Sequence, residues 1–234
     1  MTNALDVQNL AVRFEATEVF HDLSFSVPRG TCLAVIGPNG AGKTVLFKAL
    51  IGSIPHEGTI SWAPGTKLGY VPQKLDIERD LPLTGRDFLR AKAAIVKASD
   101  TSIRIALNQV GLDHAMLSTP IGNMSGGRFQ RLLVAFALIG NPNVLLLDEP
   151  AAGIDEPGQE RLNAMIGRLQ AEKDVTVLLI SHDLSVVYEY ATAVLCLSKT
   201  HPCFGAPRKV LTPENLRDLY GAASTFHVHD QPGN

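Results

Sequence analysis

Residues 31–52 read TCLAVIGPNGAGKTVLFKALIG, and the order of residue types in that stretch decides the fold. The run Cys32–Ile36 is apolar throughout, as expected of a strand covered on both faces in a parallel sheet. A glycine-rich loop follows, then an apolar helical pattern, so residues 37–44 match G-x-x-x-x-G-K-[ST] in a strand, loop and helix context. Residues Gly37, Pro38, Asn39, Gly40, Ala41, Gly42, Lys43, Thr44 and Val45 are therefore the expected cradle for nucleotide phosphates. The glycines let the backbone curl so that N–H groups point inward, and the helix start adds positive potential. Lys43 neutralises the β and γ charge, and the Thr44 hydroxyl ligates Mg²⁺.

Two more continuous apolar runs lie further along, VLLL at 144–147 and VTVLLI at 175–180. Each enters a charged turn, and between them Leu162, Met165, Ile166 and Leu169 recur at i, i+3, i+4 and i+7, the mark of an amphipathic crossover helix. These runs predict parallel strands of one α/β sheet. Nearer the start, LSFSV alternates Leu23, Phe25 and Val27 with Ser24 and Ser26, which predicts an antiparallel strand buried on one side. Residues 74–135 carry helical patterns and no strong strand signal. The expected architecture is one domain over 1–234, with an α/β nucleotide-binding core at about 1–73 and 136–222. A helical subdomain at about 74–135 is inserted in that core, and a short tail follows at 223–234.

The run VLLLDEP ends a buried strand with Asp148 and Glu149, at the sheet edge where ligands of α/β folds bind. Asp148 is the expected holder of Mg²⁺, together with Thr44. Glu149 is placed to polarise the water that attacks the γ-phosphate. The third strand ends in ISHD, which makes His182 a candidate hydrogen-bond donor to that phosphate.

Composition narrows the class. The 234 residues are 45% hydrophobic, enough for a sizeable core, and 21 basic against 23 acidic side chains give no positive field for nucleic acid. The opening MTNALDVQNL lacks the features of a secretory signal, and no apolar run approaches the roughly 18 to 20 residues that cross a bilayer. Of three cysteines, Cys32 and Cys196 sit in apolar runs as small hydrophobes, which suits a reducing cytoplasm.

Residues 124–137, MSGGRFQRLLVAFA, place Ser125, Gly126 and Gly127 at the start of an apolar helix, a second anion-binding helix start in one chain. This resembles the LSGGQ signature of ABC ATPases, and the resemblance covers nearly the whole chain. It implies that Phe14 stacks on adenine and that Gln73 is the Q-loop glutamine, which joins Lys43, Glu149 and His182 in catalysis and helps hold Mg²⁺. It also implies that Asp155, in AAGID, lies in the D-loop. Two copies are then expected to sandwich two ATP molecules, each phosphate loop facing the partner's signature. Met124 stands where leucine is usual and Arg128 where glutamine is commonest, adding positive charge near the γ-phosphate.

The segments YVPQ and LPLT at 70–84, with SHDLSVVYEY and AVLCLS, look like the ATPases of bacterial zinc and manganese importers. That likeness implies a homodimer peripheral on the cytoplasmic face of the membrane, bound to permease subunits, with a separate extracytoplasmic binding protein choosing the metal. Another cargo such as iron chelates, or a soluble non-transport ABC ATPase, are the alternatives. Leu81, Pro82, Leu83 and Phe88 form an apolar patch with two readings, part of a groove for a permease helix or ordinary packing within the subdomain. The pairs His227 with His229 and His201 with Cys203 each supply too few ligands for a zinc site.

Overall fold

The structure is a computed structural model that describes residues 2–14, 17–75, 81–173, 175–198 and 202–221. An antiparallel sheet is built from β1 (Asn3–Phe14), β2 (Thr17–Pro28) and β4 (Glu57–Trp62), in the order β2-β1-β4. The larger sheet contains β3 (Cys32–Ile36), β5 (Leu68–Val71), β6 (Val144–Asp148), β7 (Thr176–Ile180), β8 (Ala193–Cys196) and β9 (Cys203–Gly205). Its order is β5-β6-β7-β3-β8-β9, parallel except for the last pair.

The continuous apolar runs are explained by two different coverings. On one face of the sheet, Val144, Leu146, Leu178, Ile180, Leu33 and Val35 pack with Leu5, Leu10 and Phe25 of the antiparallel sheet and with Leu46, Phe47 and Leu50 of α1 (Lys43–Leu50). The alternate residues Leu145, Leu147, Val177 and Leu179 face the helices, among them Leu162, Met165, Ile166 and Leu169 of α5 (Glu156–Lys173). Successive strand side chains point to opposite faces, so a strand with two apolar coverings is apolar at every position but its ends, where Thr176 opens β7 and Asp148 closes β6.

The helical lobe holds α2 (Gly85–Ile95), α3 (Asp100–Gln109) and α4 (Gly126–Leu138). Thr84 and Asp87 form a reciprocal capping box at the start of α2, and Ser99 caps α3. The lobe has no core of its own: Leu89, Leu107 and Leu132 belong to one apolar cluster with Leu145 and Leu147 of the sheet. The expected boundary at 135/136 therefore falls inside α4, a helix whose apolar side runs from the lobe onto the sheet. Phe88, read as a groove residue, is buried and stacks on Phe136 at 4.5 Å, so it belongs to this packing; Leu81 beside it is exposed.

After β8, α6 having preceded it at Leu184–Tyr190, the chain returns through β9 to α7 (Pro207–Val210) and α8 (Pro213–Tyr220). Cys196 and Cys203 are register partners across β8 and β9 and form a disulfide. This corrects the reading of Cys196 as a small hydrophobe suited to a reducing cytoplasm, and it commits Cys203, half of the pair already too small for a zinc site, to the disulfide. The sequence hid the pairing because it depends on β9 folding back along β8. Cys32 is free and buried, and burial pushes its thiol up to about 12, so it stays protonated. Residues His201, His227 and His229 lie outside the described residues.

Candidate functional site

Strand order builds the site. Because β7 lies between β3 and β6, the carboxyl ends of three adjacent strands emerge side by side. They carry the phosphate loop, the Ser181–Asp183 turn, and Asp148 with Glu149. Two glycines of the loop are demanded by the fold. A side chain at Gly37 (φ 152°) would meet the Leu197 carbonyl oxygen at 2.4 Å, and one at Gly42 (φ 92°) would meet Val19 Cγ1 at 2.5 Å. Lys43 is buried, and its Nζ donates to the carbonyls of Gly37 at 2.8 Å and Pro38 at 3.1 Å. Burial lowers its pKa, while Glu149 and Asp148 pull it back up.

A cavity of about 290 Å³ opens over this loop, lined by Phe14, Val19, Asn39, Gly40, Gly42, Lys43, Thr44, Val45, Gln73 and Glu149. Phe14, at the end of β1, is 46% exposed and presents its ring at this cavity. Phe14, Lys43 with its loop, Gln73 and Glu149 thus converge on one cavity from four separate parts of the chain. Val19, which covers Gly42 and shares the cavity with Phe14, had no sequence signal, because its role comes from where β2 passes.

Asp148 is 1% exposed, and both carboxylate oxygens are buried without a full hydrogen bond. Burial raises its pKa, the nearby Thr44 hydroxyl lowers it, Glu149 raises it and Lys43 lowers it. A buried carboxylate with open lone pairs beside a threonine hydroxyl is a donor set that fits a small hard cation.

Glu149 holds a left-handed backbone (φ 46°), a sparsely populated state for a side chain of this kind. Its N–H donates to Ile180 at 3.1 Å and its carbonyl accepts from Ala152 at 3.0 Å, which fix the turn. Its side chain accepts a 2.8 Å hydrogen bond from the Gln73 amide, and His182 Nδ1 lies 3.9 Å from the same carboxylate. Gln73 and His182, in the turns after β5 and β7, thus approach one carboxylate oxygen of Glu149, which follows β6. Behind them, Gln159 and Asn163 of α5 line a second cavity of about 340 Å³ shared with Glu149 and His182. Neither residue stood out in the sequence.

Ser125, Gly126, Gly127 and Asp155 are elsewhere. They line a cavity of about 620 Å³ with Arg128, Arg131 and Arg161, and it shares no lining residue with the cavity over the phosphate loop. One chain thus presents two separate anion-facing surfaces.

A family model described as ABC transporter matches residues 20–152, which include the phosphate loop, Gln73, the Ser125–Gly127 turn and Glu149. The chain belongs to the ABC transporter family. Among the relatives of this ABC ATPase, a zinc import ATP-binding protein ZnuC of Photorhabdus laumondii is 40% identical over 237 residues, 98% of this chain and 91% of the relative. A metal transport system ATP-binding protein of Thermotoga maritima is 37% identical over 219 residues, 92% of this chain and 90% of the relative. Among solved structures, a chain of an inward-facing ABC transporter assigned to the metal-chelate type has a TM-score of 0.85 at 28% identity. It aligns over 94% of this chain and 89% of its own length. An ATP-binding cassette in its ADP conformation shares the fold at a TM-score of 0.79. As a member of this family the ABC ATPase binds and hydrolyses ATP. Among its described residues, no helix is long and apolar enough to cross a membrane.

Proposed function

We propose that this ABC ATPase powers uptake of a divalent metal ion, zinc or manganese, through a separate membrane permease. The observation that carries the reading is 40% identity to a zinc import ATP-binding protein across 98% of the chain, supported by a phosphate-loop cavity lined by Phe14, Lys43, Thr44, Gln73 and Glu149. The relatives favour neither iron chelates nor a non-transport role.

Phe14 stacks on the adenine of ATP, and the loop from Gly37 to Val45 receives the phosphates. Lys43 leaves the Gly37 and Pro38 carbonyls to pair with phosphate oxygens, since an anion offers a stronger partner than a neutral carbonyl. Asp148 and Thr44, joined by Gln73, would hold Mg²⁺, which screens phosphate charge when bound. Glu149 accepts a proton from the attacking water, and His182 donates to the γ-phosphate once nucleotide draws it in. Gln73, bonded to Glu149, links the base to the exposed segment at Leu81 and so to the permease.

Two copies act together, the Ser125–Gly127 turn and Asp155 of each completing the other's site. The assembly lies on the cytoplasmic face of the membrane with two permease subunits, and an extracytoplasmic binding protein delivers the metal.

The test is the content of zinc, manganese and iron in cells lacking this protein, grown at limiting metal and rescued with wild type, Glu149→Gln or Lys43→Ala. The expected result is a selective loss of zinc or manganese, restored by wild type alone. Purified Glu149→Gln retains ATP binding with phosphate release lower by about 10²- to 10⁴-fold. Unchanged metal content, or full rescue by Glu149→Gln, defeats the reading.

A further inference from the structure

Cys196 closes β8 and Cys203 opens β9, and their disulfide ties the two strands together at the edge of the larger sheet. β9 has little else to hold it: it is three residues long, and Phe204 at its middle is 46% exposed. The two sulfurs differ in access. Cys196 is fully buried, whereas Cys203 is half-buried and lines a cavity of about 510 Å³. One wall of that cavity comes from β2 and the other from β8 and β9, and Ala41 of the phosphate loop lines it beside Leu197 and Cys203.

The pair also borders the start of the phosphate loop. Leu197, the residue after Cys196, donates its N–H to the Ile36 carbonyl at 2.8 Å, and its own carbonyl oxygen sits so close to Gly37 that no side chain fits there. Beyond β9, Val210 of α7 and Leu216 and Leu219 of α8 pack in one apolar cluster with Ala34 and Ile36 of β3 and with Cys196. The strand that feeds the phosphate loop is therefore backed by a segment that the disulfide anchors.

In the cytoplasm small thiols keep cysteines reduced, and the disulfides that do form there are as a rule transient, catalytic or redox-sensing. Resting on the cytoplasmic placement above, we propose that Cys196 and Cys203 form a reversible exchange site for a low-molecular-weight thiol of the glutathione class, whose oxidation state sets how firmly the phosphate loop holds ATP. The thiolate of the small thiol attacks Sγ of Cys203, the sulfur that the cavity leaves within reach, and Cys196 departs as a thiolate that takes a proton from solvent. A second molecule of the thiol then displaces Cys203 from the mixed disulfide. The balance is two protein thiols gained and one disulfide of the small thiol formed, and that oxidised form drives the same steps in reverse. With the tie open, β9 is held only by its short ladder and the packing of α7, the Leu197 to Ile36 contact loosens, and ATP must order the loop as it binds. Cys32 takes no part, since it is buried and its thiol is pushed up to about 12.

The experiment equilibrates the purified full chain in a series of reduced and oxidised glutathione mixtures, then counts thiols after denaturation and measures ATP affinity and turnover in each. Of the chain's three cysteines, one thiol is expected in the oxidised protein and three in the reduced one, the last two appearing together. Over the same range the Kd for ATP rises about three- to tenfold, the scale of one lost hydrogen bond, while turnover at saturating ATP is unchanged. Cys203→Ser holds the reduced affinity in every mixture. Oxidised glutathione adds one glutathione to Cys196→Ala, at Cys203, and none at position 196 of Cys203→Ser, because only Cys203 lines the cavity; mass spectrometry reads both. A thiol count that never changes across the series overturns the exchange site. An ATP affinity that stays constant while the thiol count changes overturns the switch. Digestion of the chain by protease added to intact spheroplasts overturns the cytoplasmic placement on which the proposal rests, whichever way the titration falls.

Discussion

Replacing Asp148 by asparagine is expected to stabilise the nucleotide-free protein while abolishing its turnover. The carboxylate is 1% exposed with no full hydrogen bond, so its charge is held at a cost that Lys43 and Thr44 only partly offset. Asparagine keeps the shape and removes the charge. A buried polar group left unsatisfied costs about 1–3 kcal/mol, more when charged, and Lys43 and Thr44 offset part of that cost, so the gain is placed near 1–2 kcal/mol. At about 2.1 cal/mol/K of unfolding entropy per residue, a chain of this length gains about 2–4 °C in melting temperature. Thermal unfolding without nucleotide or Mg²⁺ measures it.

The pH dependence has a definite sign. The folded pKa of Asp148 lies above its ordinary 3.8, so the folded state binds its proton more tightly than the unfolded chain. The group therefore costs nothing below the ordinary value, and its penalty grows as pH rises from there through the raised folded value. The variant's advantage is largest at neutral pH and shrinks as the pH falls towards 4. ATP with Mg²⁺ stabilises wild type but not Asp148→Asn. An asparagine variant less stable than wild type at neutral pH, with no nucleotide present, refutes the reasoning.

Phe14→Ala should weaken ATP affinity about 5- to 100-fold, the range of one aromatic–base stack, with saturated turnover nearly unchanged; nucleotide titration and phosphate release read the two separately. Phe14→Tyr should restore binding. Phe88→Ala removes the ring stacked on Phe136 and should cost about 3–5 kcal/mol, or about 6–10 °C in melting temperature, by thermal unfolding.

Much of the site was legible because its chemistry is local. The strand, glycine loop and Lys43-Thr44 pair form one uninterrupted segment, and Asp148 with Glu149 ends an apolar run that has only one sensible place in a parallel sheet. The alternation of Leu23, Phe25 and Val27 likewise matches their burial under the sheet. Boundaries were less legible: β4 and β5 are short and mixed in polarity, and α4 belongs to the lobe and to the sheet alike, so no composition shift marks its end.

The sequence alone determined which residue types handle phosphate, because backbone curling, a lysine charge and a hydroxyl are needed within a few residues of one another. Tertiary structure decided what those residues meet. Only the strand order puts Gln73 and His182 against Glu149, only the passage of β2 makes Val19 a wall of the cavity, and only β9 turning back brings Cys203 to Cys196. Arg161 lines the same cavity as Arg128 because α5 packs beside α4, a meeting of residues 33 positions apart that no local periodicity encodes. Local spacing fixes a motif, whereas the electrostatics of a site depend on every charge the fold brings within reach.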